Sequence, residues 1–202
     1  MPEFSEDVKQ RLLGTPEQDA SRLVREPPKG WRPIVIEDYD PGWADRYDAV
    51  AAALHRALGD LVLGLEHVGS TSVPGLAAKP IVDVDLTVAD TEDESRYLPA
   101  LEKLGYFLVL REPWWHGHRM FVDVEEEVHL HVWPQGAAEA VRHRLLRDWL
   151  RTHPDDRELY ASTKRRLAHE AAGGDYTMAK SDVIDAIFER IFAAGAASDE
   201  RA

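Results

Sequence analysis

Cysteine is absent from all 202 residues. Disulfides, thiolate zinc sites and a cysteine nucleophile are thereby excluded, and the composition suits a reducing compartment. Basic residues are scarce, with 24 Lys and Arg against 37 Asp and Glu and a formal net charge of −13. Such a surface repels a phosphate backbone, so long nucleic acid is disfavoured as a partner, although a local basic pocket for one small anion is compatible with it. Long apolar runs are missing too. No window approaches the roughly 20 residues needed to span a bilayer. Met1–Leu13 is charged, without the apolar core of a signal segment, so the expectation is a cytoplasmic protein away from membranes.

What is present is enough for a core, at 44% apolar residues. Residues 1–30 are polar and contain Pro16, Pro27 and Pro28. They read as an N-terminal arm that wraps the core or stays partly disordered, with at most a short helix around Val8–Leu13. A short strand is expected at Pro33–Glu37. Trp43, Tyr47, Val50, Leu54 and Leu58 recur every three or four residues, which predicts an amphipathic helix ended by Gly59. Strands are expected at Leu61–Val68, Ile81–Val88, Tyr106–Leu110, Arg119–Val124 and Val128–Trp133, with a helix at 93–104. From about Ala137 the pattern is helical: Ala137–Arg151, Asp155–Ala172 and Thr177–Ala194, punctuated by Pro154 and Gly173-Gly174. The order predicts an α+β fold, a mixed sheet with flanking helices followed by a C-terminal helical lobe. The expected division is an arm at 1–30, an α/β core at 31–135, a lobe at 136–195 and a flexible tail at 196–202.

One segment carries chemistry, Glu66-His-Val-Gly-Ser-Thr-Ser-Val-Pro-Gly-Leu-Ala-Ala-Lys-Pro-Ile-Val-Asp-Val-Asp-Leu86. A strand delivers Gly69-Ser70, and after twelve intervening residues Asp83-Val84-Asp85 lies inside the next strand. Strand periodicity of two turns Asp83 and Asp85 to one face. Two carboxylates so placed repel, and a cation between them removes the conflict. A hard ion, Mg²⁺ or Mn²⁺, suits carboxylate oxygens while leaving positions for water or phosphate. Gly69 lets a phosphate approach the backbone, and the hydroxyls of Ser70, Thr71 and Ser72 can donate to it. Alone, a Gly-Ser pair marks a turn and alternate aspartates mark a wet strand face. Together, in strand–turn–strand order, they are far more specific.

This run resembles the signature of the GrpB family, part of the DNA polymerase β-like nucleotidyltransferase superfamily, with relatives fused to bacterial dephospho-CoA kinases. The resemblance extends from about Ile34 to Ile191. It takes in Val128-His-Leu-His-Val-Trp133, Arg147-Asp-Trp-Leu-Arg151, and Tyr160 through Lys164 to Tyr176 and Lys180. It implies a nucleotidyltransferase-type site that binds an NTP and transfers a nucleoside monophosphate to an unidentified small acceptor. A third carboxylate is usual in that superfamily. The corresponding strand here carries His129 and His131 on one face instead. His131 matches the family position better and is the candidate to orient or deprotonate the acceptor.

Positive charge for a triphosphate is sought at Lys79, within the signature, at Arg119, and at Lys180 in the helical lobe, where Tyr176 is a candidate to stack on a base. Lys164 has equal standing as a lobe residue or an ordinary helix-surface lysine. His116 and His118, with His129 and His131, are of the type to form a zinc or iron site. The rival to transfer is a non-catalytic nucleotide-binding or folding-accessory module, motivated by the missing carboxylate.

Overall fold

The computed structural model describes residues 4–170 and 179–199. Five strands form one mixed sheet: β1 (Gly64–Val68), β2 (Val82–Val88), β3 (Phe107–Glu112), β4 (His118–Val122) and β5 (Val128–Pro134). Their spatial order is β1-β2-β5-β4-β3. β1 runs antiparallel to β2, β2 parallel to β5, and β5, β4 and β3 antiparallel in turn. Helix α3 (Gly42–Leu58) starts where the Asp40 side chain accepts from the Gly42 amide, and it ends at Gly59, whose φ of 54° an L-residue rarely adopts. Together with α4 (Leu98–Lys103) it covers one sheet face. Trp43, Leu54, Leu58 and Leu101 there meet Val82, Val84, Leu86, Leu130, Val132 and Phe121, all buried.

Three helices follow: α5 (Ala138–Thr152), α6 (Pro154–Glu170) and α7 (Ser181–Asp199). Their apolar faces form a second cluster around Leu150, Tyr160, Ile187, Phe188 and Ile191. The loop between β1 and β2 contributes Val73 and Leu76, both fully buried, to that cluster. Burying two such side chains, at about 2 kcal/mol each, pins the loop carrying Gly69 and Ser70 beneath the C-terminal helices. The α+β expectation holds, as a five-stranded mixed sheet with flanking helices and then C-terminal helices.

Residues 4–32 run over the surface with two short helices, α1 (Glu6–Lys9) and α2 (Pro16–Ser21). The Val24 amide donates to Val109 O, the Arg111 amide donates to Arg22 O, and Phe4 packs against Phe192. The strand expected at Pro33–Glu37 contracts to a single bridge between Glu37 and Ala78. The helix expected at 93–104 begins as a 3₁₀ turn, Glu94–Arg96, before α4. Among the described residues, no helix is long and apolar enough to cross a membrane.

Candidate metal and phosphate site

The register of β2 with β5 places Asp83 beside His129 and Asp85 beside His131. Neighbours in register share a face, so this face carries Glu66, Asp83, Asp85, His129, His131, Trp133 and His118. Asp83 Oδ1 lies 3.5 Å from His129 Nδ1 and 3.7 Å from His131 Nε2. Donor atoms of Asp83, His129 and His131 all fall within 4.8 Å of one another, the group that could hold a metal ion among the described residues. Ligands around a tetrahedral ion with bonds of about 2.1 Å stand about 3.4 Å apart, so the spacing needs little adjustment. Burial alone would raise the Asp83 pKa, but the two facing imidazoles hold it well below the usual carboxylate range.

Asp85 has partners that the sequence did not suggest. It shares the face of Asp83, yet it is buried and accepts from Trp133 Nε1 at 2.9 Å and faces His143 Nδ1 at 3.0 and 3.1 Å. The cause is α5, which lies over this part of the face and presents His143. Burial resists a charged imidazole there, but Asp85 overrides it and pushes His143 up to about 9. The side-chain partners of Asp85 in the structure are therefore this ring and the Trp133 indole.

Gly69 follows β1 with φ 67°. A Cβ built there would stand 2.1 Å from Asp83 Oδ2, so the clearance glycine provides is occupied by the carboxylate itself. Ser70 opens the 3₁₀ turn Ser70–Ser72, and its Oγ accepts from Lys164 Nζ at 2.8 Å. Lys164 also donates to Ala77 O at 2.5 Å and lies 4.5 Å from the Tyr160 ring centre. Burial first, then Lys180 and Arg165, push this buried lysine down to about 7.

Several expected phosphate contacts are otherwise engaged. Thr71 and Ser72 are buried, and their hydroxyls donate to Ile81 O and Gly69 O. Lys79 pairs with Glu126 at 3.3 Å. Arg119 alternates with His118 and Met120 along β4, so it projects from the opposite sheet face, where Glu94 accepts from it at 2.6 Å. Lys180 lies close enough to Lys164 to act on its charge. Tyr176 lies outside the described residues.

Behind the two imidazoles stands an outer layer of which the sequence announced only His118. His129 Nε2 is 3.3 Å from Glu126 Oε1. His131 Nδ1 is 2.9 Å from His118 Nε2, and His118 Nδ1 is 2.7 Å from Glu112 Oε2. His118 is thus buried behind His131 rather than beside Asp83, and burial holds it well below its ordinary pKa. His116 is not in the donor group. The four-histidine site therefore reduces to His129 and His131 with Asp83.

The comparisons with known proteins agree on where this chain belongs. The model of a family described as GrpB protein matches residues 33–190. A UPF0157 protein of Halalkalibacterium halodurans is 46% identical over 159 residues, covering 78% of this chain and 82% of that protein. One from Streptomyces coelicolor is 48% identical over 163 residues, covering 80% and 86%. A dephospho-CoA kinase of Mycolicibacterium paratuberculosis is 28% identical over 71% of this chain and 41% of its own length. The crystal structure of conserved protein GrpB from Enterococcus faecalis superposes with a TM-score of 0.71 at 29% identity, over 79% of this chain and 98% of that one. A match spanning the sheet, the Gly69–Ser70 bend, the Asp83 strand and the helices behind them makes this chain a member of the GrpB family.

Proposed function

We propose that the protein is a metal-dependent nucleotidyltransferase that moves a nucleoside monophosphate from an NTP to a small acceptor. The observation that carries this reading is the contact between the Gly69 bend and Asp83. An anion held at Ser70 lies next to any ion held by Asp83. Ser70 and Lys164 form the phosphate end, with Lys180 nearby. A bound divalent ion supplies charge neutralisation for the triphosphate and polarises the reacting phosphorus. Asp83, His129 and His131 fit such an ion by donor type and spacing. Two imidazoles with one carboxylate favour Mn²⁺, Fe²⁺ or Zn²⁺ over Mg²⁺, which prefers oxygen donors. On this reading His131 is a ligand rather than the acceptor's base, because Asp83 and His118 already face its two ring nitrogens.

The test is pyrophosphate release from each NTP with Mn²⁺ or Mg²⁺ and a pool of hydroxyl and amine acceptors, alongside calorimetry of NTP binding. Turnover that depends on metal and disappears in Asp83→Ala supports transfer. A second reading, a nucleotide-binding module without turnover, is favoured by the two imidazoles on β5 in place of a third carboxylate. Metal-dependent NTP binding with no product from any acceptor selects it. Failure of NTP to bind with any divalent ion removes both.

A further inference from the structure

The arm ends just before residue 33, where the span matched by the family begins, and it brings an indole to the edge of the ion group. Trp31 stands edge to face with His129, ring centres 6.5 Å apart and planes at 87°. It is 45% exposed, whereas Trp43 and Trp133 are buried. An indole left open forgoes the burial that stabilises the other two. Its place is nevertheless fixed by the backbone on either side. Gly30, with φ 76°, donates to Pro27 O at 2.9 Å and closes a turn just before it. The Arg32 amide just after it donates to Glu126 Oε2. Glu126 is buried, and its other oxygen lies 3.3 Å from His129 Nε2. One carboxylate thus ties the segment that bears the indole to the imidazole beside the ion position.

The groups follow one another across the face. The Gly69 bend touches Asp83, Asp83 Oδ1 is 3.5 Å from His129, and His129 adjoins Trp31. A triphosphate with its terminal phosphates at Ser70 and an inner phosphate on the ion therefore has its nucleoside end on the indole side. Charge is not what this end offers. Lys29, Arg32 and Lys79 are paired with Glu125, Glu127 and Glu126. A nucleobase is planar and uncharged, and it stacks on an aromatic ring through a face that every base possesses.

We propose that Trp31 is the stacking platform for the base of the bound nucleotide, so that the arm supplies the base subsite and the Gly69 bend the phosphate subsite. The inference rests on the nucleotide reading above, and the two can fail separately.

The experiment titrates the full chain, with Mn²⁺ present, with two ligands: an ATP analogue bridged by methylene between its α- and β-phosphorus, and inorganic tripolyphosphate. Calorimetry gives the affinities and indole fluorescence reports the stack. Wild type is expected to bind the nucleotide more tightly than tripolyphosphate, with quenching by the nucleotide alone. Trp31→Ala should weaken the nucleotide about tenfold, within the range for losing one base–aromatic stack, and leave tripolyphosphate unchanged. Trp31→Phe keeps a ring and should retain most of the nucleotide affinity while the quench shrinks. Trp31 is exposed enough for its loss to leave the fold intact, which an unchanged urea midpoint checks. Lys29→Ala, on an arm residue paired with exposed Glu125, should change neither affinity. If Trp31→Ala binds the nucleotide as wild type does, the platform is lost and the nucleotide reading stands. The proposal is equally overturned if wild type binds both ligands alike, if Trp31→Ala weakens both by the same factor, or if Trp31→Phe loses as much as Trp31→Ala. If neither ligand binds wild type with any divalent ion, the nucleotide reading falls and takes this subsite with it.

Discussion

Asp83 and Asp85 sit two residues apart on one strand face and do different work. Asp83 looks onto two imidazoles from a partly open position, whereas Asp85 is sealed under α5 with His143 and Trp133. Their alanine variants should therefore separate. Asp83→Ala is expected to abolish Mn²⁺ binding by calorimetry while keeping near-wild-type stability in urea. Asp85→Ala leaves His143 and the Trp133 N–H without their acceptor and should cost about 3 kcal/mol in the same unfolding measurement. Gly69→Ala brings a Cβ into the space of Asp83 Oδ2 at a positive φ, and is expected to weaken Mn²⁺ binding at least tenfold as the carboxylate is displaced. The shared face of the two aspartates was legible because a strand has period two. Which of them stays open was not, since that depends on His143, placed over Asp85 by a helix 58 positions further on. His129 and His131 were likewise visible as a pair. Glu112 and Glu126 gave no signal, because nothing in their local sequence marks a buried carboxylate and Arg22 and Lys79 reach them from far along the chain.

Among the elements, β4 shows how one residue of parity decides a role. Arg119 was expected near the site because it opens that strand, and it lies instead under Glu94 and beside Arg111 on the other face. Arg119→Ala should leave Mn²⁺ and NTP affinity unchanged and lower stability by about 1–2 kcal/mol. On α6, Lys164 is held near 7, whereas a lysine in the unfolded chain titrates at about 10.4. Between these values the unfolded chain binds a proton the fold does not, so this residue makes stability rise with pH. Below about pH 7 the fold carries the buried charge and the gain is absent. Lys164→Met removes this contribution. Comparing wild type with the variant in urea, the wild type should gain up to about 3 kcal/mol relative to the variant between pH 7 and 9.5. Most helices and strands were legible from apolar spacing, with ends displaced by a few residues. The Pro33–Glu37 strand was not, because Pro33 cannot donate to a ladder and Val35 remains exposed, so one bridge at Glu37 is all that forms.

For the whole molecule, a net charge of −13 attracts cations and repels large polyanions at long range. An ion that binds only the folded chain stabilises it by mass action, about 2.7 kcal/mol at one hundred times its Kd. For a chain of this size that corresponds to roughly 5–10 °C in Tm. A thermal scan with saturating Mn²⁺ should show this rise in wild type and none in Asp83→Ala.

The parallel pairing of β2 with β5 bears on how the protein is made. Asp83 and His129 are direct neighbours although 46 residues separate them, and β3 and β4 lie in between along the chain. Such a non-local pairing forms more slowly than the local β3–β4 hairpin, so the candidate ion group is expected to assemble late in folding. A strand docked one rung out of step would turn both imidazoles into the greasy layer beneath. Cation uptake during refolding is therefore expected to report, more sharply than helix content, when the sheet has locked into its proper alignment.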